Sequence, residues 1–331
     1  MSALQQILSS YSGGGPAWVA RAAAGQKEWT GVANSQDGAI IVATANGTGS
    51  GTFGDVLRSS DAGVSWTAIT PAANKQWTGV AMSPDGVHIV VTESQSTPSV
   101  VNGYVYVSHD SGATFMRCDS AGAGIWACLL ISDDGQVVFA SATGITMKTI
   151  DGGSTWAQSG SSLTLRRAVA NSDCSKVIGL TSADSGNIVT TTDGGATWTV
   201  ITSAGQRSWR GITANETLTN ALAWTYGSYI YGTGNSGASW TLQSSYGTPL
   251  VDLVAGAGVS HTQNILAAYN NSSSGFLLRA DNLVSGLVVA PGVPTATTWG
   301  GLAVSGDGNR FVACVRKDAS NGNGFIYTYE K

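Results

Sequence analysis

Short apolar runs alternate with glycine- and aspartate-containing turns along most of the chain. Residues 29–35 are followed by the turn sequence Gln36-Asp37-Gly38 and then by the apolar run 39–43. An Asp-Gly pair between two such runs predicts a β-hairpin. The same order of run, turn and run recurs from residue 77 and again from residue 126. The pattern therefore predicts an all-β chain made of repeated hairpins.

A second element recurs with a fixed spacing: Ser/Thr, any residue, Asp, any residue, Gly, any residue, Ser/Thr and an aromatic residue. Its copies occupy 59–66, 108–115, 149–156, 191–198 and 233–240, the last with Asn in the Asp position. The terminal aromatics at 66, 115, 156, 198 and 240 are separated by 49, 41, 42 and 42 residues. A period of this size indicates a repeat architecture, and a four-stranded propeller blade fits it.

The recurring string predicts a tight turn. The Asp accepts backbone N–H groups, the Gly takes a positive φ, and the aromatic residue begins the next strand. This string resembles the Asp-box of sialidase-like (BNR-repeat) β-propellers, with four full copies, one Asn variant and two eroded ones. The predicted structural residues are Asp61, Gly63, Trp66, Asp110, Gly112, Phe115, Asp151, Gly153, Trp156, Asp193, Gly195, Trp198, Asn235, Gly237 and Trp240. In that family the box is a structural turn remote from the active centre, so the resemblance implies fold and not activity.

Seven units fit the length. Innermost strands are predicted around residues 29, 77, 126, 166 and 209, then in a degenerate sixth unit at 251–254, and again at 298–304. The last unit has only three strands, and residues 16–23 read as an outer strand that lacks partners. We therefore expect a single seven-bladed propeller of four-stranded antiparallel blades. The N-terminal strand would join the last blade, 291–331, close the ring and remove exposed sheet edges.

Residues 1–15 are expected to form an N-terminal extension, and residues 16–331 the propeller domain. The extension joins a short amphipathic start to a glycine-rich stretch, Gly13-Gly14-Gly15. It resembles the openings of structural proteins from tailed bacteriophages. It lacks the basic region and long apolar core of a secretory signal, so a virion-associated or cytoplasmic protein is expected.

Composition and charge narrow the function classes. The 331 residues include 44 glycines and only 11% charged residues, as suits a turn-rich sheet protein. A net charge of −4 with 16 thinly spread Lys and Arg residues predicts no nucleic-acid partner. No apolar run reaches the length of a membrane span. Cys118, Cys128, Cys174 and Cys314 have no metal-ligand spacing, and buried reduced thiols are expected with no metal or cofactor.

Binding is expected on the face that carries the connections between blades and the loops between second and third strands. Two residue sets lie on or next to these connections: Trp29, Trp77, Trp126, Trp209 and Trp299, and Arg166, Arg167, Arg207 and Arg210. The tryptophans could stack on sugar rings, or they could fill the wedge between blades. The arginines could form an anion-binding patch. Both sets are candidate ligand-binding residues. The long loops 45–54, 94–102 and 317–323 belong to the same face.

A glycosidase is the main enzymatic alternative. The family resemblance would require three arginines, a Tyr nucleophile with a Glu partner, and an acidic residue. Its Arg-Ile-Pro signature is absent, since Arg21 precedes Ala22-Ala23. The length argues against a two-propeller xyloglucanase arrangement. An unfamiliar carboxylate set would be sought first at Glu28, Glu216 and Asp252. The three histidines, His88, His109 and His261, are far apart in sequence.

Three hypotheses therefore remain. The first is a non-enzymatic binding or structural propeller that contacts a glycan or a protein partner, for instance as part of a phage particle. The second is a glycoside hydrolase of sialidase-like fold with a non-standard centre. The third is an assembly factor similar to the seven-bladed propeller of photosystem II assembly, a family that carries an Arg patch and normally an export signal.

Overall fold

The structure is a computed structural model. It describes residues 18–47, 53–94, 103–160, 162–181, 185–227, 229–245, 250–255, 263–270, 275–282, 288–289, 298–317 and 324–330. Between residues 250 and 289 the description covers the backbone alone. The predicted N-terminal extension and most of the three long loops lie outside the described residues.

The described strands form seven four-stranded antiparallel sheets, which we call blades and number in chain order. Blade 1 holds β2 (Glu28–Asn34), β3 (Ile41–Asn46), β4 (Val56–Ser59) and β5 (Thr67–Ala68). Blade 2 holds β6 (Gln76–Met82), β7 (Ile89–Ser94), β8 (Val105–Ser108) and β9 (Met116–Arg117). Blade 3 holds β10 (Cys128–Ile131), β11 (Val138–Ala142), β12 (Ile145–Thr149) and β13 (Ala157–Gln158).

The remaining blades repeat this order from inner to outer strand. Blade 4 holds β14 (Leu165–Ala170), β15 (Val177–Thr181), β16 (Ile188–Thr191) and β17 (Thr199–Ile201). Blade 5 holds β18 (Trp209–Ala214), β19 (Ala221–Thr225), β20 (Tyr229–Thr233) and β21 (Thr241–Ser245). Blade 6 holds β22 (Leu250–Ala255), β23 (Gln263–Asn270), β24 (Gly275–Asn282) and β25 (Val288–Val289). Blade 7 holds β26 (Thr298–Val304), β27 (Arg310–Lys317), β28 (Ile326–Glu330) and, as its outer strand, β1 (Val19–Ala20).

The predicted closing strand, residues 16–23, is wrong in its extent and in its effect. Among the described residues, Val19 and Ala20 pair with β28, and a 3₁₀ turn at Ala22–Ala24 ends the strand before residue 23; residues 16 and 17 lie outside the described residues. Neighbouring blades do not share a continuous hydrogen-bonded ladder. The ring is therefore not closed by hydrogen bonds, and each sheet keeps an inner and an outer edge. Side-chain packing and a few isolated bridges hold adjacent blades together.

The core lies between consecutive blades. One apolar cluster joins Val42 and Val56 of blade 1 to Trp77 and Tyr106 of blade 2, whose rings meet edge to face at 5.4 Å. A second joins Ile178 of blade 4 to blade 5 in the same way. These contacts bury apolar side chains from two sheets at once, and that burial is the main stabilisation that blades provide to each other.

A register shift marks the innermost strand of most blades. In blade 1 it falls between Trp29 and Gly31, and blades 2, 4, 5, 6 and 7 have a shift near the same position. The extra residue in such a bulge points its side chain in a different direction from that of a regular strand. Arg166 and Arg210 occupy this position in blades 4 and 5.

Candidate functional site

Two faces of the ring differ in construction. Connections between first and second strands, and between third and fourth strands, form one face, which we call the turn face. Hydrogen bonds join these two connections within a blade, such as Ala62 N to Ala39 O at 2.9 Å and Gly152 N to Gln136 O at 3.0 Å. Segments between blades, together with the loops between second and third strands, form the opposite face, which we call the loop face.

The five predicted Asp or Asn turns all lie on the turn face between third and fourth strands. In the first, Asp61 accepts the Ser65 backbone N–H at 2.8 Å and the Ser65 hydroxyl at 2.6 Å. Gly63 has φ +88°, and its carbonyl accepts the indole N–H of Trp66 at 2.9 Å. These contacts satisfy the turn internally, so it performs a structural role without a ligand.

Hydrogen bonds keep these carboxylates ionised. The Ser65, Thr114 and Thr155 hydroxyls, followed by backbone N–H groups, lower the pKa values of Asp61, Asp110 and Asp151 to about 2. Asp193 has its pKa lowered in the same way by Thr197. Asn235 keeps the geometry without charge, because its Oδ1 accepts the Ser239 N–H at 2.9 Å and its Nδ2 donates to Ser239 Oγ at 2.9 Å.

The hairpin turns contain a feature that the sequence reasoning missed. Ser35 Oγ donates to Asp37 Oδ1 and accepts the Ile40 backbone N–H at 2.9 Å. Equivalent serines serve the other Asp-Gly hairpins: Ser83, Ser132 and Ser305. The serine two residues before each Asp was visible in the sequence and could have been recognised as part of the turn.

The five candidate tryptophans are side chains of the interior. Relative exposures are 0% for Trp29 and Trp77, 7% for Trp126, 1% for Trp209 and 2% for Trp299. The indole N–H of Trp29 donates to Gly324 O of the preceding blade at 2.9 Å, and that of Trp126 donates to Gly103 O at 2.8 Å. Their burial favours the inter-blade packing interpretation over sugar stacking.

The four candidate arginines lie on two consecutive blades, at or just before the loop-face ends of β14 and β18. Arg210 stacks over Tyr226 with 4.7 Å from guanidinium carbon to ring centroid, and Arg207 stacks over Tyr231 at 4.6 Å. Arg167 takes the channel position that Gly31 and Gly79 occupy in blades 1 and 2. Its Nη1 donates to the backbone carbonyls of Ala127 and Arg166, both at 3.0 Å.

Other described loop-face cations form ion pairs, among them Arg117, whose Nε lies 2.6 Å from Asp119. Lys27 lies 2.6 Å from Asp55, Lys75 lies 3.0 Å from Glu93, and Arg316 lies 3.1 Å from Glu28. Within the described ranges no carboxylate forms an ion pair with Arg167, Arg207 or Arg210. Among the described residues, the positive charge of this face is therefore concentrated on blades 4 and 5, in what we call the arginine patch (Arg166, Arg167, Arg207 and Arg210).

A small cavity lies in the central channel beside this patch. Its volume is about 200 Å³, and glycines and threonines of the innermost strands line much of it. Arg167 is the one charged side chain among its lining residues in the part of the chain that the structure describes. The cavity therefore offers a guanidinium, hydroxyl groups such as that of Thr78, and little apolar surface.

Of the carboxylates proposed for a glycosidase, the two whose side chains the structure describes, Glu28 and Glu216, are not brought together. Glu28 lies on the loop face, where it pairs with Arg316. Glu216 is exposed in the turn between β18 and β19, on the opposite face. The side chain of Asp252 lies outside the described residues. Glu28 and Glu216 therefore cannot act on one glycosidic bond, which needs two carboxyl groups flanking it.

The structure pairs two histidines that are distant in sequence. His88 Nδ1 and His109 Nδ1 lie 2.8 Å apart, and His109 Nε2 lies 2.9 Å from Gly152 O of blade 3. Sequence spacing gave no indication of this contact. Among the described residues no group of three or more His, Cys, Asp or Glu side chains could hold a metal ion.

The cysteines are buried, as the sequence predicts, and all four are free thiols. Burial raises the pKa values of Cys118 and Cys128 to about 11 and that of Cys174 to about 12. A thiol with a raised pKa is a poor nucleophile at neutral pH. In the described part of the chain no helix is long and apolar enough to cross a membrane.

Comparisons with known proteins identify the fold class. No family model and no curated protein matches the chain. Among solved structures, it is similar to the GH74 xyloglucanase from Xanthomonas campestris, with 15% identity and a TM-score of 0.69. That match covers 95% of this chain and 53% of the xyloglucanase, so the chain spans about half the length of that protein.

Two further structures match over nearly their full length. YCF48 bound to D1 peptide has 11% identity and a TM-score of 0.65, with 96% of each chain covered. The RRP9 WD40 repeats have 11% identity and a TM-score of 0.66, with 95% of this chain and 98% of that chain covered. At these identities the similarity establishes a β-propeller fold and no more. Its neighbours include both an enzyme and non-enzymatic propellers.

Proposed function

We propose that this protein is a non-enzymatic recognition propeller that binds an acidic protein segment at the loop face of blades 4 and 5. The observation that carries the proposal is the arginine patch, in which Arg167, Arg207 and Arg210 have no ion pair within the described ranges. Guanidinium groups bind carboxylates bidentately, and their stacking on Tyr226 and Tyr231 fixes their planes.

A protein segment suits this surface better than a neutral glycan. The tryptophans that would stack on sugar rings are buried, whereas Tyr226 is 57% exposed beside Arg210. Aromatic and Arg side chains are also the residues enriched at protein interfaces. The similarity to YCF48 bound to D1 peptide supports a peptide partner by analogy of fold.

Binding to a panel of acidic, neutral and basic peptides tests the proposal. We expect the acidic peptides to bind in a salt-sensitive manner, and Arg207→Ala with Arg210→Ala to weaken binding at least about tenfold. Arg316→Ala is the matched control, because Arg316 shares the loop face but already pairs with Glu28. Equal binding of neutral and acidic peptides, or equal loss in the Arg316 variant, would contradict the proposal.

The virion is the proposed setting. This part of the proposal depends only on residues 1–15, whose composition is similar to the openings of phage structural proteins and which lie outside the described residues. Antibody labelling of purified particles in electron micrographs tests it. Absence of label on intact and partly disassembled particles would count against a virion role and would leave the binding proposal intact.

A further inference from the structure

The two faces of the ring carry opposite charge. The turn face carries the carboxylates of the four Asp turns and of the hairpins: Asp37, Asp61, Asp85, Asp110, Asp133, Asp134, Asp151, Asp173, Asp193, Glu216 and Asp307. Arg21, Lys148, Lys176 and Arg310 and the histidines His88 and His109 share this face, and Arg310 pairs with Glu330 at 3.0 Å. On the loop face, the described carboxylates Glu28, Asp55, Glu93 and Asp119 are each paired with a cation, whereas Arg167, Arg207 and Arg210 have no ion pair among the described residues.

The acidic charge is gathered around the channel mouth. Hydrogen bonds link hairpins of some neighbouring blades around this mouth, including Gln36 N to Pro84 O at 2.7 Å and Asp133 N to Ser172 O at 2.8 Å. Burial, followed by the charges of Glu216 and other carboxylates nearby, raises the pKa of Asp133. These side chains therefore repel one another across the mouth, and an approaching cationic surface relieves that repulsion.

The innermost strands β14 and β18 carry Arg166, Arg167 and Arg210 near their loop-face ends, and acidic hairpins follow the opposite ends of the same strands. Arg210 lies near the start of β18, and Glu216 lies two residues beyond the end of the same strand. A second copy placed on the channel axis would set the arginine patch of one disc against the acidic channel mouth of the next. One chain therefore carries both halves of a complementary contact.

We propose that copies of this chain stack head to tail, with the turn face of one disc on the loop face of the next. This inference rests on the proposed function, because it names the acidic partner of the arginine patch as the turn face of a second copy. The contact is heterologous, so it leaves one free face at each end and allows open stacks.

Exposed apolar side chains on both faces supply contact area that charge alone does not provide. Ile125 is 51% exposed and Phe53 is 44% exposed on the loop face, and Ile150 is 68% exposed on the turn face. Such side chains, when covered, add the apolar burial on which stable interfaces depend.

Sedimentation velocity over a range of protein concentration tests the stack directly. We expect association at low ionic strength and dissociation in salt that shortens the Debye length to about 3 Å. A protein that stays monomeric at every concentration in low salt overturns the proposal. So does association that salt leaves unchanged.

Charge reversal with a mixing experiment tests the orientation. Asp133→Lys with Glu216→Lys reverses part of the turn face, and Arg207→Glu with Arg210→Glu reverses part of the loop face. Each double variant alone should associate at least about tenfold more weakly, because like charges would then face each other. An equimolar mixture should regain association, since each reversed face now meets its complement. Failure of the mixture, with both variants folded by circular dichroism, overturns the head-to-tail arrangement.

Acidic-peptide binding separates this inference from the function on which it rests. The turn-face variant keeps an intact arginine patch and should bind acidic peptides like the wild type. Peptide binding without any self-association overturns the stack alone. Loss of peptide binding from the loop-face variant, together with loss of stacking, supports both.

Discussion

At the scale of single residues, the turn-face carboxylates make stability depend on acid. The folded-state pKa of Asp151 is about 2, below its ordinary value of 3.8. A carboxyl group whose pKa is lowered on folding stabilises the folded state above about pH 4, and this stabilisation is lost as the pH falls towards about 2. We therefore expect the melting temperature of the wild type to decrease as the pH is lowered from about 4 to about 2. Asp151→Asn should make the fall shallower, because Asn235 shows that an amide holds the same turn.

The reverse substitution is the matched control. Asn235→Asp introduces a carboxylate where Ser239 already provides a hydroxyl and a backbone N–H. It should make the acid-dependent fall steeper. Melting curves at a series of pH values, measured for both variants, check the pair. Parallel curves for the wild type and both variants would show that these carboxylates do not set acid stability.

At the scale of elements, a hydrogen bond from an indole N–H joins the inner strand of blade 1 to blade 7. Trp29 Nε1 donates to Gly324 O, whereas Trp77 Nε1 is buried without a hydrogen-bond partner in the described structure. Both side chains have 0% exposure, so replacement by Phe removes similar volume. We expect Trp29→Phe to lower the free energy of unfolding by about 1 kcal/mol more than Trp77→Phe. Urea denaturation of both variants measures the difference, and equal losses would contradict it.

Glycines just before third strands, such as Gly103 ahead of β8, allow the close approach of two backbone segments. A Cβ on Gly103 would lie 1.9 Å from Glu93 O, too close for any side chain. We expect Gly103→Ala to lower the free energy of unfolding by more than about 2 kcal/mol. Gly301→Ala is the control, because its Cβ would meet ordinary contacts at 3.7 Å. Denaturant titration of the two variants checks the ranking, and a mild Gly103 variant would refute the argument.

The sequence predicts the elements of this molecule better than it predicts its site. Period and turn chemistry are local, so the positions of Asp61 and its equivalents follow from spacing alone. The contacts of Arg167 with Ala127, of Lys75 with Glu93 and of His88 with His109 depend on where neighbouring strands and blades lie in space. No repeat pattern encodes that geometry. The predicted closing strand continues to residue 23, beyond its observed end, because the sequence does not show where the 3₁₀ turn at Ala22–Ala24 begins.

At the scale of the whole molecule, the N-terminal and C-terminal segments meet in blade 7. Trp18 is 6% exposed, and its ring centroid lies 5.5 Å from that of Tyr329. Arg21 adds a backbone bond to Ile326 O at 2.8 Å and a side-chain bond from Nε to Thr328 Oγ1 at 2.6 Å. Blade 7 in turn contacts blade 1, since Arg310 Nη1 donates to Asp37 O at 3.1 Å.

Loss of the Trp18 side chain should therefore weaken more than the blade that contains it. Trp18→Ala is expected to lower the free energy of unfolding by about 3–5 kcal/mol, as for other large buried side chains. Hydrogen exchange should show lost protection in β27 and β28 first and in β2 and β3 next, because blade 1 packs on blade 7. Val19→Ala is the control, since Val19 is 48% exposed and adjoins the same pairing. If Trp18→Ala melts at the wild-type temperature, or if protection falls equally in all blades, the N-terminal segment does not secure this junction.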